Sequence, residues 1–246
     1  MKTIDFNPVD KPLISIITVV YNGEQFLEET ILSVINQTYD NLEYIIIDGG
    51  STDGTINIIK KYEDRISYWV SENDKGIYDA MNKGIKVSSG EWIYFINMGD
   101  TLLNIPSKDL LNLEYSLIAG NVLVNSKNTS RVFLPSFDWK IRLFNTIHHQ
   151  GVFYNKKAIG YYSLDYKVFS DFNQNQHLYM AHASSKIIDI LIASHSLDGI
   201  SNSGEYFNEN FRIIKKNFGV FYVVLAFLYY KMRGVRFALS KLSSSL

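Results

Sequence analysis

Apolar residues alternate with short polar breaks along the first hundred residues in a strand, turn, helix rhythm. Residues 13–20 form an almost unbroken run rich in isoleucine and valine, typical of a central parallel strand covered on both faces. Residues 21–23 break this run, and apolar side chains recur at helical spacing over 24–37. The same pattern predicts strands at 42–47, 66–70 and 92–96 and helices at 54–62 and 77–87. Such repeats predict an α/β fold whose mostly parallel central sheet is flanked by helices.

The rhythm changes after Asp100, where the chain becomes irregular and rich in asparagine, serine and tyrosine. Short strands are predicted at 116–124 and 151–154, and a helix at 170–183. Residues 199–204 have the composition of a loop, and about the last forty residues have a helical pattern.

Composition narrows the class of protein further. The 246 residues, 46% hydrophobic and 20% charged, suit one large α/β domain or one domain with a small appendage. A net charge of -1 gives no general argument for nucleic-acid binding, and none is predicted. Because the chain has no cysteine, disulfides, zinc-thiolate sites and thiol catalysis are excluded.

Two segments bear on membranes and location. Residues 1–11 lack the apolar stretch of a secretory signal, so a cytoplasmic location is expected. The apolar run 218–230 is shorter than the ~20 residues that a spanning helix requires.

Candidate chemistry lies where the predicted strands end. Asp48 and Asp100 directly follow apolar runs that we expect to be adjacent in one sheet, and ligands of open α/β sheets bind beyond the carboxyl ends of the strands. The residues expected to gather there are Val19, Tyr21, Asp48, Asp53, Asp74 and Asp100. The alternative for any single Asp is a turn former or helix cap, a role that residues 51–53 could also fill.

The glycine and carboxylate residues at these strand ends suggest a nucleotide diphosphate site, whose phosphates would not be held by a glycine loop alone. The first strand is followed by neither G-x-G-x-x-G nor a G-x-x-x-x-G-K-[ST] sequence. A Mn²⁺ or Mg²⁺ ion bridging a diphosphate to Asp100 is the economical alternative.

Five motifs recur in order along the first hundred residues: 15–22 (SIITVVYN), 30–38 (TILSVINQT), 48–55 (DGGSTDGT), 74–84 (DKGIYDAMNKG) and 90–100 (GEWIYFINMGD). Through them the chain resembles family 2 glycosyltransferases with the GT-A fold, and the resemblance implies a Rossmann-like sheet. It is most similar to bacterial enzymes that build exopolysaccharide or O-antigen repeat units. A looser likeness continues at 149–151, 170–172 and 198–201.

The resemblance implies a role for each donor-side residue. Val19 and Tyr21 would surround the nucleobase and ribose with Asp48 beside the base, although Gly49 stands where many relatives have a second Asp. The metal motif corresponds to residues 97–100, in which only Asp100 keeps a carboxylate, so Asp100 would be the main protein ligand of the metal. Three further residues would reach the donor sugar or diphosphate, with a solvated helix start as the alternative: Asp74, Lys75 and Asp79.

Asp171 is the candidate catalytic base, because the resemblance implies an acidic residue at the head of this helix facing the acceptor hydroxyl. The alternatives are an ordinary first-turn carboxylate after Ser170 and the nearby Asp165 as the base. One of His148 and His149 could contact the diphosphate or the metal, with a packing or surface role as the alternative for either. A packing or surface role is favoured for His177, His182 and His195.

The implied division of the chain follows the motifs. Residues 1–209 would form the GT-A domain, with a nucleotide-sugar-binding half at 1–100 and an acceptor half at 101–209. Residues 210–246 would form a basic amphipathic helical tail, since they contain no acidic residue and seven basic ones. The apolar run of this tail could lie on an anionic membrane, which would place the protein on the inner face of the cell membrane. The alternative is packing on the domain or in a homodimer interface.

The predicted function is an inverting glycosyltransferase that moves a sugar from a nucleotide-diphosphate sugar, most simply a UDP-sugar. The acceptor would be a hydroxyl of a glycan or a polyprenyl-diphosphate-linked molecule in cell-surface polysaccharide synthesis. A catalytically silent nucleotide-sugar-binding or scaffold subunit is the second hypothesis, and a nucleotidyltransferase the third.

Overall fold

A computed structural model describes residues 11–126, 129–196 and 206–243. The predicted N-terminal segment 1–10, the loop 199–204 and the motif 198–201 therefore lie outside the described residues. The described strands are β1 Ile14–Val20, β2 Leu42–Asp48, β3 Tyr68–Ser71, β4 Trp92–Phe95, β5 Thr101–Leu102, β6 Leu117–Asn125, β7 Ser130–Phe133, β8 Val152–Asn155 and β9 Ser185–Ser196.

Seven α-helices accompany these strands in the described part of the chain. Short 3₁₀ helices lie at Glu63–Arg65, Trp139–Arg142 and His149–Gly151. The α-helices are α1 Leu27–Ile35, α2 Thr55–Lys61, α3 Ile77–Val87, α4 Ser107–Leu110, α5 Ser170–Met180, α6 Phe207–Phe218 and α7 Val220–Ser243.

One sheet joins all these strands in the order β3-β2-β1-β4-β8-β6-β9-β5, with β7 paired to β6. The strands β3, β2, β1 and β4 are parallel, as the N-terminal pattern predicts. Beyond β4 the sheet is mixed, because β8 pairs antiparallel with both β4 and β6. The expected adjacency of the strands before Asp48 and Asp100 was wrong, since β1 lies between β2 and β4.

The core lies on both faces of the sheet. Along β1, Ile14, Ile16 and Val20 pack into one cluster, and Ile17 and Val19 into the cluster on the opposite face. This alternation follows from the two-residue period of a strand. It explains why the first strand is apolar at nearly every position.

The helix predicted at 170–183 ends early, at Met180. His182 adopts a left-handed backbone conformation with φ 53°, and the amide of Ala183 donates to the carbonyl of Leu178 at 3.0 Å. These bonds close the helix in the manner of a Schellman motif. The chain then reverses into β9, a strand of 12 residues that the sequence analysis did not predict.

The C-terminal helices pack on the domain. Ile213 and Ile214 of α6 and Ala226 of α7 are buried in a third core cluster with Phe172 of α5. The predicted boundary between residues 209 and 210 falls inside α6. None of the helices in the described part of the chain combines the length and apolar character needed to span a membrane.

Candidate active site

Asp48 closes the loop that follows β2. The side chain is fully buried, and its Oδ2 accepts hydrogen bonds from the amides of Gly50 at 3.1 Å and Ser51 at 2.9 Å and from Ser71 Oγ at 2.6 Å. Asp53 acts in the same way at the start of α2, where its Oδ1 accepts from the Thr55 amide at 3.0 Å. Both carboxylates shape the strand-end loop, which for Asp53 is the turn-forming alternative, since Gly54 is the N-cap of α2.

Gly49 makes room for Asp74. A Cβ placed on Gly49 would lie 2.5 Å from Asp74 Oδ2, so only glycine admits that carboxylate here. Asp74 thus occupies the space that a side chain at position 49 would need. Its Oδ1 also accepts the Gly76 amide at 2.8 Å, just before α3. The Asp74 side chain therefore lies against the strand-end loop at Gly49 while its hydrogen bond shapes the turn before α3.

The other predicted donor-side residues differ in exposure. Tyr21, just past β1, is 60% exposed, whereas Val19 is buried in the core. Asp79 Oδ2 accepts the Lys75 amide at 3.0 Å, which fits the helix-start alternative for Asp79, and Lys75 itself is exposed. Tyr21 and Lys75 are the side chains of this group that face solvent.

Asp100 meets a residue that the sequence analysis assigned to packing. The antiparallel pairing of β5 with β9 aligns Thr101 with Ser194, so the residues just outside this pair, Asp100 and His195, lie side by side. Asp100 is buried, and its Oδ1 lies 2.9 Å from His195 Nδ1 and accepts the Ser196 amide at 3.2 Å. Nothing in the sequence indicates this contact, because 95 positions separate the two residues that the sheet brings together.

His148 and His149 lie at the 3₁₀ turn before β8, beside this pair. The rings of His148 and His195 are 4.9 Å apart, whereas His149 stacks on Phe95 at 5.2 Å. Burial lowers the pKa of His148 to about 3 and that of His149 to about 4, so both rings are neutral at physiological pH. Of the two, His148 is the one in contact with the Asp100 and His195 pair.

The donor set at Asp100 fits a divalent cation that takes most of its ligands from elsewhere. A carboxylate oxygen and an imidazole nitrogen both suit Mn²⁺, and they lie 2.9 Å apart here. Within 11–126, 129–196 and 206–243, no group of three or more His, Asp or Glu side chains could hold a metal ion by itself. The remaining ligands would therefore be diphosphate oxygens and water.

Asp171 lies in the first turn of α5 and contacts both halves of the chain. Tyr78 Oη on α3 donates to its Oδ1 at 3.1 Å, and Asn145 Nδ2 donates to its Oδ2 at 3.1 Å. Burial raises the pKa of the Asp171 carboxyl to about 6, against the lowering effect of these hydrogen bonds. A carboxylate with this pKa is mostly ionised at neutral pH and is suited to accept a proton.

The competing base, Asp165, has different surroundings. It is exposed and lies 3.9 Å from Lys216 of α6. The contact of Asp171 with α3 favours Asp171 over Asp165.

One short segment, residues 145–148, connects the surroundings of Asp171 with those of Asp100. Asn145 contacts Asp171, while His148, three residues later, contacts His195 and through it Asp100. Three residues of chain span at most about 11 Å. The sequence analysis did not identify Asn145, which carries no local signal because its partner belongs to a distant helix.

Comparison with known proteins shows which family the sequence matches. Residues 15–102 match the sequence model described as "Glycosyl transferase family 2". A PGL/p-HBAD biosynthesis glycosyltransferase of Mycobacterium tuberculosis is 29% identical over 207 residues, which cover 78% of this chain and 80% of that protein.

Solved structures share the fold. The crystal structure of Staphylococcus aureus TarS 1–349 in complex with UDP-GlcNAc aligns with a TM-score of 0.65 at 20% identity, over 83% of this chain and 66% of that one. The mannosyltransferase PcManGT of Pyrobaculum calidifontis, in complex with GDP-Man and Mn²⁺, aligns with a TM-score of 0.64 at 14% identity, over 89% of this chain and 70% of that one. Residues 15–102 thus form a glycosyl transferase family 2 domain, and the chain is a transferase with the GT-A fold.

Proposed function

We propose that the chain is an inverting glycosyltransferase that moves a sugar from a nucleotide-diphosphate sugar, with UDP as the nucleotide, to a hydroxyl group. The acceptor is a glycan or a lipid-linked molecule of cell-surface polysaccharide synthesis. TarS, which has been crystallised with UDP-GlcNAc, supports the choice of UDP, and the PGL biosynthesis relative supports a cell-surface product. The observation that carries the proposal is Asp171, with a pKa of about 6, linked through residues 145–148 to the Asp100 and His195 pair.

In this mechanism Asp171 takes the proton of the acceptor hydroxyl as its oxygen bonds to the anomeric carbon. The bond from that carbon to the diphosphate breaks on the opposite face, so the configuration inverts and the nucleoside diphosphate leaves with the bonding electrons. Asp100 and His195 would hold the Mn²⁺ or Mg²⁺, which when bound neutralises charge on the leaving diphosphate.

The donor is assigned to the loops after β1 and β2 and to the start of α3. Tyr21 and Val19 would border the nucleobase and ribose, with Asp48 beside the base. Lys75, which is exposed beside the Asp74 turn, would offset diphosphate charge. Asp74 and Asp79 would fix this loop against the donor, because both accept backbone amides there.

The direct test is Asp171→Asn. We expect transfer to fall by about 100-fold or more, because the amide cannot accept the proton, while UDP and Mn²⁺ still raise the melting temperature as in the parent. Asp165→Asn is the matched control and should keep its rate. Parent-like turnover by Asp171→Asn would contradict the proposal.

A catalytically silent nucleotide-sugar-binding subunit is the second candidate, favoured by the single carboxylate in residues 97–100. Incubation of the UDP-sugar with the protein and no acceptor distinguishes an enzyme from a silent subunit. Slow hydrolysis that releases UDP requires a working catalytic site. Asp100→Ala should weaken donor binding and rate together and remove the response to Mn²⁺. An unchanged Mn²⁺ titration in this variant would contradict the metal role of Asp100.

The tail belongs to the same proposal. Residues 210–246 carry seven basic and no acidic residues, and α7 presents apolar side chains to solvent. We assign this surface to the anionic inner face of the cell membrane, where a lipid-linked acceptor resides. A homodimer interface is the competing assignment.

A further inference from the structure

Helix α7 holds the short segment that carries Asn145. The ring of Tyr229 stacks on the ring of Phe144, with centres 4.4 Å apart and planes within 2° of parallel. About two turns earlier on the same face of α7, the hydroxyl of Tyr222 accepts a hydrogen bond from Arg142 Nη1 at 2.6 Å. Both contacts are made to residues just before Asn145, so the docked face of α7 fixes how the chain reaches this side chain.

Arg142 is held by aromatic rings of three helices. Its guanidinium carbon lies 5.3 Å from the ring centre of Tyr179 of α5, 5.6 Å from that of Phe218 of α6 and 5.4 Å from that of Tyr222 of α7. A guanidinium over aromatic faces is attracted by the quadrupoles of the rings. The start of the segment is therefore tied to α5, α6 and α7 together.

Asn145 passes this placement on to the proposed base. Its Oδ1 accepts the Ile147 amide at 3.3 Å, which leaves its Nδ2 to donate to Asp171 Oδ2 at 3.1 Å. Hydrogen bonds from nitrogen to oxygen weaken beyond about 3.2 Å. A small displacement of the chain at Phe144 would therefore break the bond between Asn145 and the carboxylate.

The helix that carries the base is tied to the same assembly by buried amides. Asn217 Nδ2 of α6 donates to Asn173 Oδ1 at 3.2 Å and to Gln176 Oε1 at 2.9 Å, both on α5. Gln176 Nε2 in turn donates to the Ile141 carbonyl, next to Arg142, at 2.9 Å. The C-terminal helices thus fix both partners of the bond between Asn145 and Asp171.

The other titratable groups that face Asp171 are tyrosines. They are Tyr78 of α3, Tyr154 of β8 and Tyr162 of the segment between β8 and α5, and burial raises the pKa of each hydroxyl far above neutral. Among the residues described, the side chains that donate to the Asp171 carboxyl are those of Tyr78 and Asn145. Between pH 5 and 9, the ionisation of Asp171 therefore reports the bond from Asn145 without interference from these tyrosines.

We infer that helix α7 is a positioning element of the catalytic site, because Tyr229 holds Phe144 and thereby keeps Asn145 bonded to Asp171. The inference rests on the proposed function, in which Asp171 is the base, and goes beyond it by giving the tail a role in catalysis that requires no membrane. Phe144, Asn145 and Tyr229 are positioning residues, because each acts through Asp171.

The pKa of Asp171, measured by carbon NMR of aspartate-labelled protein, tests the inference directly. The Asp171 resonance is the one that Asp171→Asn removes. We expect Tyr229→Ala to raise this pKa by about half to one unit, since loss of a donor to the ionised form favours the protonated one. Phe144→Leu, which keeps apolar volume and removes the stack, should give the same shift. An unchanged pKa in both variants would overturn the inference.

A double-mutant cycle shows whether α7 acts through Asn145. Asn145→Ala should raise the pKa of Asp171 as Tyr229→Ala does, and the two changes together should raise it no further than Asn145→Ala alone. Additive shifts would mean that α7 reaches the base by another route, and would overturn the inference.

Phe211→Ala is the matched control for general loosening of the tail. The Phe211 ring contacts Tyr230 of α7 with centres 6.1 Å apart, away from the Phe144 stack. This variant should lower the melting temperature and leave the pKa of Asp171 unchanged. An equal pKa shift in Phe211→Ala would show that Tyr229 acts only through stability, which would overturn the inference.

Hydrolysis of the UDP-sugar above pH 8, where Asp171 is ionised in every variant, measures the effect on catalysis. We expect Tyr229→Ala to lower kcat at least about fivefold and to keep the donor KM within about twofold, because the base is displaced and the donor site is not. Tyr229→Phe, which keeps the stacked ring, should restore kcat. A parent-like kcat in Tyr229→Ala would contradict the positioning role.

The outcome is separable from that of the glycosyl-transfer proposal, because the pKa measurement needs no turnover. If the pKa shifts appear in a protein that hydrolyses no donor, only the catalytic proposal fails. If donor hydrolysis is intact and Tyr229→Ala changes neither the pKa of Asp171 nor kcat, only the positioning role of α7 fails.

Discussion

The surroundings of Asp171, the proposed base, suit proton transfer. Burial pushes its pKa upward to about 6, and the hydrogen bonds from Tyr78 and Asn145 restrain that rise. The single hydroxyl proton of Tyr78 is shared between Asp171 Oδ1 at 3.1 Å and the Val168 carbonyl at 2.5 Å, so the hydroxyl lies between the carboxylate and the turn before α5. Tyr78 is a positioning residue, because it acts through Asp171.

Tyr78→Phe should move the acidic limb of the rate profile to higher pH. Asp171 must be ionised to accept a proton, so in the parent the rate falls as pH drops through about 6. Loss of the Tyr78 hydrogen bond favours the protonated form, raises the pKa of Asp171 and shifts the limb upward by about half to one pH unit. A profile of kcat/KM from pH 5 to 9 measures the shift.

Tyr94→Phe is the control for this measurement. Tyr94 is a buried tyrosine of β4 whose hydroxyl donates to the Gln150 carbonyl at 2.7 Å, without contact to Asp171. The Tyr94→Phe variant should lower the free energy of unfolding without moving the acidic limb of the pH–rate profile. A limb that stays in place in Tyr78→Phe, or moves to lower pH, would refute the assigned role of Tyr78.

Some residues of the candidate site can be identified from the sequence around them, and others cannot. Asp48, Asp100 and Asp171 stand next to strand ends or at a helix start, so the pattern and the family likeness identified them. His195 and Asn145 could not be found in that way. Each meets its partner only through pairings across many positions, 95 for Asp100 with His195 and 26 for Asn145 with Asp171.

At the scale of elements, the sequence predicted the parallel half of the sheet and, within a few residues, β6, β8 and α5, but it did not predict β5, β7 or β9. The helix expected at 77–87 has those bounds, and β1, β2 and β4 lie within about a residue of the prediction. The long strand β9 was missed, because its residues alternate irregularly and pair with β6 through register shifts. Patterning captures local periodicity, whereas mixed pairing depends on contacts distant in sequence.

The start of α5 depends on a residue of α6. Both oxygens of Glu209 are used: Oε1 accepts the Lys167 amide at 2.8 Å, and Oε2 accepts the Val168 amide at 3.0 Å and the Phe169 amide at 3.2 Å. The side chain is 7% exposed. One buried carboxylate thus holds the turn that leads into Asp171.

Glu209→Gln should reduce both stability and transfer. The amide replaces one acceptor oxygen by an N–H group, so at least one part-buried backbone N–H loses its partner, at a cost of about 1 kcal/mol in the free energy of unfolding. We expect kcat to fall as well, because the turn before Asp171 loosens. Urea denaturation and initial rates measure the two effects.

Asn208→Ala is the matched control, since Asn208 is exposed and lies one residue away in the same helix. It should leave both quantities near those of the parent. Glu209→Gln with unchanged stability would show that the turn is held without this carboxylate.

At the scale of the whole molecule, helix α7 has one face packed on the domain and one face exposed to solvent. One face of α7 packs on the domain, where Arg142 donates to Tyr222 Oη at 2.6 Å and its guanidinium lies over the rings of Tyr179 and Phe218. The other face is apolar and open to solvent. Its exposed large side chains are Val220, Phe221, Val224, Phe227, Leu228 and Met232.

This geometry constrains how α7 could meet a membrane. Since one face is docked, the helix can lie only along the surface, with its exposed side chains in the acyl boundary. The absence of acidic residues after Asn210 favours an anionic lipid surface over a second copy of the same tail, whose charge would repel it.

The triple variant Phe221→Ser, Val224→Ser, Leu228→Ser should abolish membrane binding and keep the fold, because these side chains are exposed and make no part of the core. In flotation at low salt, we expect the parent chain to rise with vesicles containing phosphatidylglycerol, less so with phosphatidylcholine alone, and less again at high salt, because screening weakens the attraction of the basic tail. The double variant Tyr161→Ser, Leu164→Ser removes comparably exposed apolar side chains from the segment between β8 and α5 and should float as the parent does. A parent that ignores vesicles yet sediments as a dimer, and becomes monomeric in the triple variant, would assign the α7 face to a second copy of the chain.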